Sequence, residues 1–237
     1  MADKHLSTQF DTELNSLSSR VMELGGLVES QIRLAIGALG RFDDEAAREV
    51  MDVEDRVNQM EVEIDRELSS VIARRQPTAR DLRLLMAISK TTANLERVGD
   101  EAERIARMVR SIVARSAGVR TLPAGELERA AHLASAQLRK ALDAFARLDT
   151  ASAVAIMKED DLLDREFDGF VRKLITYMME DPRTISSGLD LLFVAKAIER
   201  IGDHAKNIAE FIIYVVKGAD VRHSSIEHIE SAVRGQG

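Results

Sequence analysis

The stretch Glu96-Arg97-Val98-Gly99-Asp100-Glu101-Ala102-Glu103-Arg104-Ile105-Ala106 returns 103 residues later as Glu199-Arg200-Ile201-Gly202-Asp203-His204-Ala205-Lys206-Asn207-Ile208-Ala209, with seven of eleven positions identical. Its surroundings repeat in the same order. Arg41-Phe42-Asp43 returns as Arg147-Leu148-Asp149, Met51 as Met157, Glu54 as Asp160 and Pro77 as Pro182, at offsets of 105 to 106. An offset that keeps its order and drifts only slightly marks a tandem duplication with small changes in loop length.

Each unit reads as three helices. Phe10, Leu14, Leu17, Val21, Leu24 and Val28 step by four and three, which is one apolar stripe along a helix. Asp43 is a natural N-cap for the second helix. Val50, Val53, Val57, Met60, Ile64, Leu68 and Val71 form that helix's stripe, and Pro77 ends it. The third helix spans about residues 78–114, with Leu82, Leu85, Leu95, Ala102, Ile105 and Val109 expected inward. Gly118 to Gly125, with Pro123, reads as the linker. The second unit gives helices over 126–148, 150–180 and 184–217, and Gly218 stops the last. Helices of about 30 residues are near 45 Å long, and three with short connections make an antiparallel bundle.

The expected fold is therefore all-α, a tandem duplication of a three-helix bundle with six long helices about a pseudo-two-fold axis. The repeats cover residues 1–117 and 126–218, and the polar tail, 219–237, is expected to be flexible. Composition agrees. In 237 residues there are three prolines, nine aromatics and no tryptophan, against 45% hydrophobic and 31% charged residues. That favours aliphatic helices over a sandwich or barrel. With no cysteine there is no disulfide framework, thiolate metal site or cysteine nucleophile. A net charge of −7 and few aromatics argue against nucleic acid as a partner. The longest apolar run, Phe211 to Val216, is far short of a membrane span, and the N-terminus has no apolar signal core.

The repeated motif places two carboxylates on one helix face in each unit: Glu96 with Asp100, and Glu199 with Asp203. Such i, i+4 pairs repel, and a cation would offset the repulsion. Oxygen ligands suit Mg²⁺, Mn²⁺, Ca²⁺ or iron. The second helix of each unit offers further oxygens: Glu54, Asn58, Glu61 and Asp65 in the first, Asp160, Asp164 and Asp168 in the second. The bland reading is a solvated acidic face, with Arg97 or Arg200 pairing nearby. Duplication of both acids favours a role, as do Gly99 and Gly202, mid-helix glycines that each cost about 1 kcal/mol relative to alanine. His204, beside Asp203, could approach a metal, but reads first as a surface histidine. No Glu-x-x-His, phosphate-cradling glycine loop or nucleophile elbow occurs.

Two three-helix repeats, each with Glu-Arg-Val/Ile-Gly-Asp in its third helix, resemble the PhoU family of phosphate-transport regulators. Met60-Glu61-Val62-Glu63-Ile64-Asp65, Arg75-Gln76-Pro77-Thr78-Ala79-Arg80-Asp81-Leu82-Arg83-Leu84 and Thr176-Tyr177-Met178-Met179-Glu180-Asp181 are similar to that family too. The resemblance runs from His5 to His223. It implies a cytoplasmic, non-enzymatic negative regulator of the phosphate-starvation response. Its implied partners are the ATPase subunit of the phosphate ABC transporter, the PAS domain of the sensor histidine kinase, and a second copy in a homodimer. It further implies metal ions, among them iron, manganese, magnesium or zinc, on Glu96, Asp100, Glu199 and Asp203. Glu54, Asn58, Asp160 and Asp164 are additions from the residue pattern alone. Lys206 stands where the first repeat has Glu103, so the two sites need not bind equally. Two other readings stay open: a metal-dependent helical enzyme, such as a di-iron oxidase or phosphohydrolase, and a metal-free helical scaffold.

Overall fold

The structure, a computed structural model, describes residues 8–115, 124–222 and 224–235. The first repeat forms α1 (Thr8–Arg41), α2 (Asp44–Arg75) and α3 (Ala79–Arg115). The second forms α4 (Ala124–Arg147), α5 (Thr150–Glu180) and α6 (Ile185–Lys217). A short α7 (Ile226–Arg234) follows. The fold is all-α, and no helix among the described residues is long and apolar enough to cross a membrane. The linker expected at 118–125 lies mostly outside the described residues, and its last residue, Gly125, is already in α4.

The turns show how the duplicated sequence sets duplicated structure. Asp43 Oδ1 accepts from the amides of Glu45 and Ala46. Asp149 Oδ1 does the same for Ala151 and Ser152. Just before each cap, Phe42 and Leu148 take the left-handed conformation at φ 51°. The amides of Asp43 and Asp149 bond back to Ala38 and Ala144, closing a Schellman motif at the end of α1 and of α4. The proline turns differ more. Gln76, with φ 47°, ends α2 before Pro77, whereas Pro182 opens a single 3-10 turn ahead of α6.

Within each repeat the three helices pack on one another, and the repeats meet mainly through α3 against α6, with α1 on α4. Gly25 permits the latter approach, since a Cβ there would lie 2.8 Å from Leu142 Cδ1. The α3–α6 seam is antiparallel: Arg83 Nε donates to Val215 O, Arg200 meets Glu101, and Arg115 meets Asp190. The core is largely aliphatic, with Phe10, Phe145, Phe170 and Phe211 among its buried residues, and is continuous through both repeats.

Two sequence expectations change. Leu82 is 39% exposed instead of inward. Its neighbour Arg83 already touches the last turn of α6, so Leu82 sits where the seam ends. The tail is not wholly flexible either. Residues 226–234 fold as α7, capped by Ser225, because Ile226, Ile229 and Val233 form a short apolar stripe that packs on the second repeat.

Candidate functional site

In the first repeat, α2 and α3 bring acids together. Glu54 is 5% exposed, between Val50 and Val57 on the core-facing stripe of α2. Its Oε2 accepts from Gln31 Nε2 at 2.7 Å, and its buried Oε1 has no hydrogen-bond partner. Burial lifts its carboxyl to about 7, opposed by the Gln31 bond and reinforced by Asp100, Glu103 and Glu96. Burial also raises Glu96, reinforced by Asp100 and Glu61, and raises Glu61, reinforced by Asp65 and Asp100. Asn58 and Asp100 are exposed on the outer face. Gly99 is needed for this arrangement, because a Cβ there would lie 2.7 Å from Glu54 Oε2 and 3.0 Å from Gln31 Oε1.

The second repeat is built differently. Glu199 pairs with Lys196 and lines a cavity of about 280 Å³ with Phe167 and Phe170. Asp203 lines a separate cavity of about 480 Å³ with Lys206, Arg222 and Ile229. Phe167 and Val171 occupy the places of Glu61 and Asp65, at the offset of 106. Asp164 and Asp168 are exposed on α5, and the side chain of Asp160 lies outside the described residues. Among the described residues, no three acidic or imidazole side chains are arranged to hold one metal ion. The structure thus gathers the first repeat's acids within electrostatic reach and separates the second repeat's pair into two hollows.

Between the repeats lies a polar seam. Glu101, 3% exposed, accepts a hydrogen bond from Arg200 Nη1 on Oε1 at 2.9 Å, while Arg104 Nη1 lies 3.3 Å from Oε2 as an ion pair without a hydrogen bond. Arg200 therefore pairs across the seam, not with the motif acids of its own repeat. His204 is buried, not a surface residue. Asn94 Nδ2 donates to Lys90 O, which turns Asn94 Oδ1 toward His204 Nδ1 at 2.9 Å. That makes Nδ1 the protonated nitrogen. Burial, then Arg97 and Arg200, lower the imidazole to about 4, so it is neutral near pH 7.

A PhoU domain pattern matches residues 21–109 and again residues 127–212, one match per repeat. The chain belongs to the PhoU family. It is 51% identical over 229 residues to a Burkholderia phosphate-specific transport system accessory protein PhoU homolog, covering 97% of each chain. It is 46% identical to the Escherichia coli accessory protein PhoU, over 99% of this chain and 96% of that one. The crystal structure of PhoU from Pseudomonas aeruginosa superposes with a TM-score of 0.85 at 42% identity, covering 89% of this chain and all of that one. A Streptococcus pneumoniae phosphate transport system regulatory protein PhoU gives 0.81 at 27% identity, covering 90% and 99%.

Each PhoU domain of this chain buries one glutamine at the same place, which reading the motifs alone misses. Gln31 Nε2 reaches Val50 O at 3.3 Å, and Gln137 Nε2 reaches Ile156 O at 3.5 Å. Both pairs are related by the offset of 106. The repeat offset is the signal that finds them, since a lone polar residue on an apolar stripe otherwise reads as an interruption.

Proposed function

We propose that this chain is a cytoplasmic, non-enzymatic regulator that holds the phosphate-starvation response off when phosphate is plentiful. In this reading it works as an adaptor, often as a homodimer, between the ATPase subunit of the phosphate ABC transporter and the PAS domain of the sensor histidine kinase. The coarser statement, an accessory protein of phosphate-specific transport, rests on one observation: relatives of that name align over 97–99% of the chain, through both repeats. The architecture supports the finer one. An α3–α6 seam, tied by Arg200 to the buried Glu101, joins the two domains, and Phe167 and Lys206 of the second stand where the first has Glu61 and Glu103, so the domains offer different side chains to two unlike partners.

The family resemblance also implies metal, and the first repeat fits a cation better than the second. Glu96 and Asp100, with Glu61 and the buried Glu54, are the groups that would hold it, because burial and then the neighbouring acids raise the carboxyls of Glu54, Glu61 and Glu96, and Glu54 Oε1 has no partner. A bound cation would neutralise these carboxylates and tie α2 to α3. In the second repeat Lys196 already neutralises Glu199, and Phe167 replaces the acid of α2. Co-purification tests the adaptor. The tagged chain is expected to retain both the ATPase subunit and the isolated PAS domain; retention of neither contradicts the reading.

A further inference from the structure

The second repeat leaves an apolar strip uncovered along the outer side of α5 and α6. On α6, Ile185, Leu189 and Phe193 stand at i, i+4 and i+8 and are 43–53% exposed. On α5, Ile175 and Met179 stand at i and i+4, and Met179 is 79% exposed. The two rows adjoin, because the helices meet at this level: a Cβ on Gly188 would lie 2.8 Å from Met178 Sδ and 3.7 Å from Leu174 Cδ1. Together the five side chains expose on the order of 500 Å² of apolar surface, a size that marks an interaction site.

The repeat offsets carry this strip onto α2 and α3 as Ser69, Ala73, Leu82, Met86 and Lys90. A serine, an alanine and a lysine interrupt it there, so the continuous strip belongs to the second repeat. A single self-complementary face closes into a pair and does not propagate into a filament. The rim carries both signs. Lys196 pairs with Glu199 and Arg183 with Asp181, and Arg172 and Glu180 are exposed on α5. An anionic bilayer would call for a cationic rim, whereas this chain carries a net charge of −7.

The spacing fits a two-fold axis at the level of Tyr177. Such an axis sets Ile175 against Met179 of a second copy. Lys196 lies over Phe167 and Met178 under Gly188, so α5 and α6 run antiparallel and the same axis sets Ile185 against Leu189. It also brings Arg172 to the Glu180 end of the other α5. We propose that the outer α5–α6 face pairs with the same face of a second copy, with α5 antiparallel to α5 and α6 to α6. With its polar rim the strip approaches the roughly 800 Å² per partner that a stable dimer buries. The inference gives a surface to the homodimer of the proposed function and rests on that reading for its role.

The test uses the full chain, which has no cysteine of its own, so one introduced thiol reports one position. With a short bismaleimide, Met179→Cys should link two copies, and its exposed equivalent on α2, Ala73→Cys, should not. In sedimentation equilibrium the native chain should be a dimer at low micromolar concentration. Met179→Asp, too exposed to matter for folding, should raise the dissociation constant at least ten-fold with helical content unchanged, and Arg172→Glu should raise it as well. A dimer that Met179→Asp leaves intact, or linkage as ready through Ala73→Cys, overturns this surface while the homodimer stands. A native chain still monomeric at about 0.1 mM overturns both. A monomer that floats with phosphatidylglycerol vesicles, and loses this with Met179→Asp, would make the occupant a lipid surface and also overturns the proposal. None of these failures touches the starvation-response assay, which judges the regulator separately.

Discussion

Gln31 Nε2 donates to Glu54 Oε2 at 2.7 Å inside the first repeat, and the two side chains together fill the space that a Cβ on Gly99 would need. The glycine, the glutamine and the acid are one packing unit contributed by three helices.

Gly99→Ala should therefore destabilise the chain, by about 1–3 kcal/mol, although alanine is the better helix former. Gly26, on the exposed side of α1, has nothing within 4 Å of its would-be Cβ. Gly26→Ala should stabilise by about 0.5–1 kcal/mol. Urea unfolding of both variants decides it; equal effects would mean that Gly99 is not held by its neighbours.

Glu54 gives a pH signature. Its folded-state pKa of about 7 stands above the ordinary 4.5, so the folded chain holds this proton more tightly than the unfolded one. The stability this contributes is complete below the unfolded pKa and is lost as pH rises through about 7. Glu54→Gln keeps the acceptor for Gln31 but cannot ionise. Its stability relative to the native chain should rise by roughly 1–3 kcal/mol between about pH 5 and pH 8. Parallel stability profiles for the two proteins would contradict this origin.

The sequence makes the six long helices legible because apolar periodicity, two aspartate caps and two prolines agree with one another. α5 is the clearest case, running from the Asp149 cap to the residues before Pro182. The duplicated motif also leads directly to Gly99 and the acids beside it. What stays hidden depends on contacts between distant helices. The bond from Arg200 to Glu101 crosses the pseudo-two-fold seam, and the motif's local spacing points Arg200 at its own repeat instead. His204 is buried by α3, which no pattern within α6 announces. α7 has only three apolar anchors among polar residues, too short a stripe to stand out from a polar tail.

The seam ion pair should behave asymmetrically. Arg200→Ala leaves Glu101 buried with Arg104 alone and should cost about 1–3 kcal/mol. Glu101→Gln removes the buried charge and leaves both arginines able to reach water, so its cost should stay below about 1 kcal/mol. With Glu101→Gln in place, adding Arg200→Ala should change little. Additive losses in this double-mutant cycle would show that the pair is not coupled.

The proposed cation uptake should be unequal between repeats. Added Mn²⁺ or iron should raise the melting temperature, since a ligand bound only by the folded chain stabilises it by mass action. Asp100→Asn should abolish most of that rise, and Asp203→Asn should reduce it far less. Elemental analysis showing no metal, together with an unchanged melting temperature, would retire the cation site and leave the regulatory reading standing.

The regulatory claim is tested most directly by alkaline phosphatase activity in a strain lacking this chain, grown in high phosphate. The account predicts that the starvation genes are switched on despite abundant phosphate, and that the intact chain supplied in trans silences them again. Phosphatase that stays silent in the deletion strain would contradict it.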